Sequence, residues 1–131
     1  MPNEPLWLPI EAVIEINGTA VALTGERHFV RDRGLLESAL ARPQNAFAYG
    51  EEDIIALAVR LMAGIAQAHA FEQGNKRTAF VAMVQFLMAN GYEVVIEDSE
   101  AWAERVIAFV ERRSTEEDFV AAIQPFVVAA G

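Results

Sequence analysis

His69-Ala70-Phe71-Glu72-Gln73-Gly74-Asn75-Lys76-Arg77 lies between the two strongest helical patterns of the chain, and its reading decides the fold. On its N-terminal side Ile54, Leu57, Ala58, Leu61, Met62, Ile65 and Ala66 recur at three- and four-residue spacing, which predicts an amphipathic helix running to Ala68. Glu51, Glu52 and Asp53 precede it, acids that suit the positive end of a helix dipole. On the C-terminal side Ala79 to Met88 is apolar nearly all round, with Asn90-Gly91 as a closing cap. A helix from about Lys76 to Asn90 with such a surface belongs at the centre of a domain. The seven residues between, His69 to Asn75, are a turn joining two buried helices.

Working outward, Asp32 to Ala41 reads as a short helix with Leu35, Leu36, Ala39 and Leu40 on one side and Pro43 beyond its end. Pro43 to Gly50 then reads as a loop or short ribbon. Tyr92 to Ile96 reads as a brief extended stretch, and Glu100 to Arg112 as a helix carrying Trp102, Val106, Phe109 and Val110. Ser114 to Asp118 offers a capping box for a last helix through Phe119, Val120 and Ile123, which Pro125 should kink or end. Val13 to Val21 stays open: its alternation around Asn17-Gly18 suits a hairpin, and the spacing of Ile10, Val13, Ile14 and Val21 also tolerates a helix.

Length and composition narrow the classes. A chain of 131 residues with 53% hydrophobic content supports a core without staples, and the expectation is one domain over residues 1–131. The absence of cysteine excludes disulfides, thiolate metal sites and cysteine nucleophiles. Nineteen acids against ten bases give a net charge of −9 and a pI near 4.6, a surface that repels nucleic acid and anionic lipid. Met1 to Pro9 shows no basic leader or sustained apolar run, and elsewhere the apolar stretches are broken by Arg60, Gln67, Gln85 or Asn90. The expected setting is the cytoplasm, with neither a membrane nor a nucleic acid as direct partner.

The loop has a chemistry of its own. Gly74 permits the backbone angles of an anion nest, and the free N–H groups at the start of the following helix can converge on an anion. Lys76 and Arg77 stand at the end of the helix where its dipole disfavours cations, which calls for a partner. A polyphosphate would serve, with lysine as a point charge and arginine as a fork. His69 closes the preceding helix, on the stripe of Leu61, Met62, Ile65 and Ala66, so its side chain should face the edge of the interior. Histidine titrates near neutrality and suits removal of a hydroxyl proton. Taken singly, each feature also has a plain reading: a dipole partner, a turn, solvated bases. Their arrangement within one loop favours a site.

This stretch closely resembles the Fic/Doc family motif, His-x-Phe-x-(Asp/Glu)-Gly-Asn-(Gly/Lys)-Arg, and Lys76 at the eighth position is similar to the Doc (death-on-curing) branch of toxin–antitoxin systems. Gly34 to Pro43, Thr78-Ala79 and the Phe86-Leu87…Asn90-Gly91-Tyr92 pattern share the resemblance, which covers most of residues 30–130. It implies a compact all-α fold with the motif loop between two central helices and room for a minor β-ribbon. It implies transfer of the γ-phosphoryl group of ATP to a Ser/Thr hydroxyl of a protein such as elongation factor Tu, which blocks translation. By position, His69 would deprotonate the acceptor and Phe71 would anchor the loop. Gly74 and Asn75 would form the anion hole, with Lys76 and Arg77 on the phosphates. Pro43 to Gly50 would stand where the family docks its target. A separate antitoxin chain, helical when bound, would lie across the motif groove.

One position departs from the motif. Gln73 stands where the family has the Asp or Glu that holds Mg²⁺. An amide oxygen brings no charge to an ion that prefers carboxylate, phosphate and water. Glu72 next door, or ATP itself, would then hold the metal. The alternatives to phosphoryl transfer are AMP transfer of the kind most Fic proteins perform, and a non-catalytic module that binds a nucleotide or a partner.

Overall fold

The computed structural model describes residues 3–131. Met1 and Pro2, the start of the stretch read for a leader, lie outside the described residues. Six helices and one two-stranded ribbon follow one another: α1 (Ile10–Thr24), α2 (Arg33–Ala48), α3 (Ile54–Ala68), α4 (Asn75–Ala89), β1 (Tyr92–Val94), α5 (Glu100–Val110), α6 (Glu116–Ile123) and β2 (Val127–Ala129). The fold is all-α, as the sequence predicts.

Two helices organise the core. Asp53 caps α3 by accepting a hydrogen bond from the Ile55 N–H at 2.9 Å, and α3 buries residues on nearly every side, from Leu57 through Ala66. It packs against α2, α4 and α6. In α4 the side made of Thr78, Ala79, Ala82, Met83, Phe86 and Leu87 is buried. Its other side is only half covered at Phe80, Val81 and Val84 and open at Met88. The helix is therefore central in connectivity yet carries an apolar stripe at the surface.

One open reading is settled and two others change. The open segment around Asn17-Gly18 is helical: α1 buries Val13, Ile16, Asn17, Ala20 and Val21, and tertiary burial of that face decides against a hairpin. α2 does not stop before Pro43. Asp32 caps it through the Leu35 N–H at 3.0 Å, and the helix runs on to Ala48 with Pro43 inside and buried. Leu35, expected on the apolar side, is half exposed. Proline deprives one carbonyl, that of Ala39, of its donor. That carbonyl lies against α3 at Gly64, where an added Cβ would sit 3.1 Å from the Ala39 oxygen. Close helix packing thus carries α2 through a residue that usually ends helices.

The longer α2 also moves Pro43 to Gly50 away from the motif loop. α2 begins beside Ala70, whose carbonyl accepts from the Asp32 N–H at 3.0 Å. It runs back along α3, so Gly50 lies at the opposite end of a helix about 22 Å long. The expected docking segment is not beside His69.

The ends of the chain close the structure. Trp7 stacks on Phe86 at 5.7 Å, and the Asn90 side chain bonds both the N–H and the carbonyl of Leu6, at 2.8 and 3.0 Å. Thr115 caps α6 by accepting from the Asp118 N–H, and a 3₁₀ turn over Gln124–Phe126 takes up Pro125. The last residues pair antiparallel with β1, Tyr92 opposite Ala129 and Val94 opposite Val127.

Candidate functional site

The motif loop is held from three directions. His69 caps α3 in the left-handed region, φ 50° and ψ 39°, a conformation that a non-glycine residue keeps only when its surroundings impose it. The restraint comes from the extended residues before α2. The Arg31 guanidinium donates to the His69 carbonyl at 2.9 Å. The Arg31 N–H donates to the Ala70 carbonyl at 2.8 Å, and the Glu72 N–H donates to Phe29 at 3.0 Å, forming an antiparallel bridge between Val30 and Phe71. Phe71 is fully buried and anchors the loop from below.

The second restraint is internal. The Asn75 side chain accepts from the Phe71 N–H at 3.1 Å and returns a bond to the Phe71 carbonyl at 2.9 Å. Its amide is thereby occupied, so Asn75 presents its backbone rather than its side chain to any anion. The third restraint comes from α1. Fully buried Asn17 donates to the Gln73 carbonyl at 2.8 Å and to the Thr78 hydroxyl at 3.0 Å. Gly74 is then the left-handed N-cap of α4, at φ 78°. The N–H groups of Gly74, Asn75 and Lys76 have no acceptor among the described residues, which leaves a set of backbone donors at a helix start.

The side chains around the loop are polar and largely exposed. The His69 imidazole lies at the surface rather than at the interior edge, because the left-handed cap swings it off the buried stripe of α3. Glu72 and Gln73 are exposed, and Glu72 is paired with Arg27 at 3.6 Å. Each motif cation has an internal partner. Lys76 Nζ lies 3.2 Å from Glu111, which also holds Arg113 at 3.1 Å. The Arg77 guanidinium donates to the Ala20 carbonyl at 2.8 Å. The hydrogen bonds from Lys76 and Arg113 hold the Glu111 carboxyl below its ordinary value of 4.5. Glu111 is the C-cap residue of α5, where the dipole disfavours an anion, so these two cations supply its compensation.

Two grooves meet at Arg77. One, of about 740 Å³, separates α4 from α5 and is lined by Phe80, Val84, Ile96, Trp102 and Val106, with Lys76 and Arg77 at one end. A smaller one of about 260 Å³ lies between α1 and α4, with Ile16, Leu23 and Val81. The loop therefore sits at the mouth of an apolar channel.

His69, Gly74, Asn75, Lys76 and Arg77 belong to one loop and the first turn of one helix. Sequence reasoning misses Asn17, Arg31 and Glu111, which position that loop or pair with it, and Thr78, whose hydroxyl accepts from Asn17. Asn17 had a signal: as a helix, α1 places this one amide among Val13, Ala20 and Val21 on its buried face. Arg31 and Glu111 gave none, since their contacts span 38 and 35 residues.

Among the described residues the donor set at the loop does not fit a resident Mg²⁺. Among the described residues no group of three or more His, Cys, Asp or Glu side chains could hold a metal ion. Gln73 offers only a neutral oxygen, and the nearby Glu72 carboxylate faces Arg27. No helix among the described residues is long and apolar enough to cross a membrane.

Two comparisons with known proteins bear on this loop. The model of the Fic/DOC family matches residues 7–87. A toxin named Doc from Mycolicibacterium smegmatis is 38% identical over 115 residues, covering 85% of this chain and 87% of that protein.

Proposed function

The chain belongs to the Fic/DOC family, and on that premise we propose that it is a Doc-like toxin of a toxin–antitoxin system. In this reading it transfers the γ-phosphoryl group of ATP to a Ser/Thr hydroxyl of a protein such as elongation factor Tu. His69 takes the hydroxyl proton, the freed oxygen attacks the γ-phosphorus, and the bond to the bridging oxygen of the β-phosphate breaks, releasing ADP. Gly74, Asn75 and Lys76 offer backbone N–H groups to the phosphates. Lys76 and Arg77 add charge once they leave Glu111 and Ala20, and any Mg²⁺ arrives with the triphosphate.

The observation that carries the reading is one conjunction. An exposed histidine is held by its own carbonyl at the end of α3, and the three unpartnered N–H groups open α4 within the same short loop. The target-docking role passes to residues 27–31, whose extended backbone is already bridged to the loop at Phe71. The antitoxin is a separate chain whose bound segment is helical. The α4–α5 groove suits its apolar face, and an acidic residue of that segment would answer Lys76 and Arg77.

A second reading has its own support. With Gln73 in place of a carboxylate and both cations engaged within the chain, the protein would bind a nucleotide or a partner without turnover. Incubation of candidate acceptors with ATP labelled at the γ- or the α-phosphate separates these possibilities. The phosphotransferase reading expects γ-label on the protein, and expects it to vanish in a folded His69→Ala variant. Transfer of α-label would mean adenylylation. Unchanged γ-transfer by His69→Ala would remove histidine from the reaction.

A further inference from the structure

Asn17 is the one fully buried side-chain amide of α1, and its packing is costly. Its Oδ1 is buried with no donor among the described residues, a state that natural interiors keep only for a reason. The two bonds of its Nδ2 identify that reason. The Gln73 carbonyl can only accept, so the amide orientation is fixed, with the NH₂ turned to the loop and the carbonyl oxygen left without a partner.

The Gln73–Gly74 peptide is trans, as are all described peptide bonds. In a trans peptide the C=O and the N–H point to opposite sides. Asn17 draws the Gln73 carbonyl inward, toward α1, so the Gly74 N–H of the same peptide is turned outward. Glycine is required for this approach. A Cβ on residue 74 would sit 3.1 Å from Asn17 Nδ2 and 3.0 Å from Val21 Cγ1, on a backbone with positive φ. Left to itself, such a glycine peptide can rotate, since both flanking torsions are soft.

We infer that Asn17 is a positioning residue that locks the Gln73–Gly74 peptide with the Gly74 N–H facing outward, as a preset donor for a phosphate oxygen. This rests on the reading of the loop as a phosphate site. Thr78, the other acceptor of Asn17, anchors the amide from the side but does not belong to the oriented peptide.

The test uses the full chain with inorganic pyrophosphate as probe, and calorimetry on wild type, Asn17→Leu and Thr78→Val, each checked for cooperative thermal unfolding. Leucine keeps the volume and removes both donors, whereas valine removes only the side anchor. Asn17→Leu is expected to weaken pyrophosphate binding about tenfold or more, the loss of one hydrogen bond to a charged group, and Thr78→Val to leave it within about threefold. Undiminished binding by Asn17→Leu, or equal losses in both variants, would overturn the inference. The N–H residual dipolar coupling of Gly74 is measured in parallel. It should change in Asn17→Leu and hold in Thr78→Val. If wild type binds no pyrophosphate, the phosphate reading of the loop fails on its own, while an unchanged coupling in Asn17→Leu would still overturn the peptide lock. Should Asn17→Leu not fold, Asn17→Ala replaces it with the same expected outcomes.

Discussion

At the scale of the residue, the motif loop divides its work between side chains that face solvent and side chains that hold the backbone. Phe71, Asn75 and Asn17 are committed to the scaffold: Phe71 and Asn17 are buried, and both asparagines spend their amides on loop backbone groups. Glu111 belongs to the charged set. Hydrogen bonds from Lys76 and Arg113 lower its pKa, so ionised Glu111 favours the folded state. A carboxyl whose folded value is depressed contributes its stability above the unfolded value and loses it as pH falls through the folded value. Glu111→Gln should therefore be less stable than wild type above about pH 4.5, and the two unfolding curves should converge on further acidification. Parallel melting-temperature profiles across that range would show that the ion pairs do not stabilise the fold. The same variant frees Lys76, so a gain in nucleotide affinity should accompany the loss.

At the scale of the element, the close approach of α2 and α3 makes the most specific demand on sequence. Gly64 lies within van der Waals reach of the Ala39 carbonyl that Pro43 leaves without a helical donor. Gly64→Ala improves intrinsic helix propensity by about 1 kcal/mol. Its methyl group would stand 3.1 Å from backbone oxygen and 3.4 Å from Ala39 Cα and Cβ, atoms that cannot move without their helix. Overpacking of this kind costs about 1–3 kcal/mol, so the variant should melt several degrees below wild type. An increase in melting temperature would show that the two helices have slack at that crossing. This contact also explains the limits of sequence reading. α3, α5 and α6 are legible because capping acids, a serine and a threonine open them and apolar spacing continues them. The extension of α2 is not legible, because a proline argues locally for an end and its accommodation depends on a glycine 21 positions later. α1 was equally ambiguous: Asn17-Gly18 is a strong turn pair by itself, and only burial of Asn17 against the loop selects the helix.

At the scale of the whole molecule, an acidic chain concentrates donors and cations at one loop. Its net charge is −9, yet Arg27, Arg31, Lys76, Arg77 and Arg113 occur on the loop, beside it or paired with its contacts. That local excess favours a phosphate-bearing ligand in a protein whose overall field disfavours nucleic acid. The loop itself was legible from nine residues, and so were its flanking helices. What the sequence left hidden are the long-range restraints: the strap at residues 29–32, the brace from α1, and the pairing of β1 with the chain's last residues. Each joins segments whose own patterns carry no sign of the other.

In the proposed reaction this loop transfers the γ-phosphoryl group of ATP to a protein hydroxyl. Intact-mass spectrometry of elongation factor Tu after incubation with the protein, ATP and Mg²⁺ reads that transfer as a mass change. A phosphoryl-sized gain, absent with His69→Ala, is the predicted result. An adenylyl-sized gain, or no gain even with a Gln73→Asp variant that restores the metal carboxylate, would contradict it.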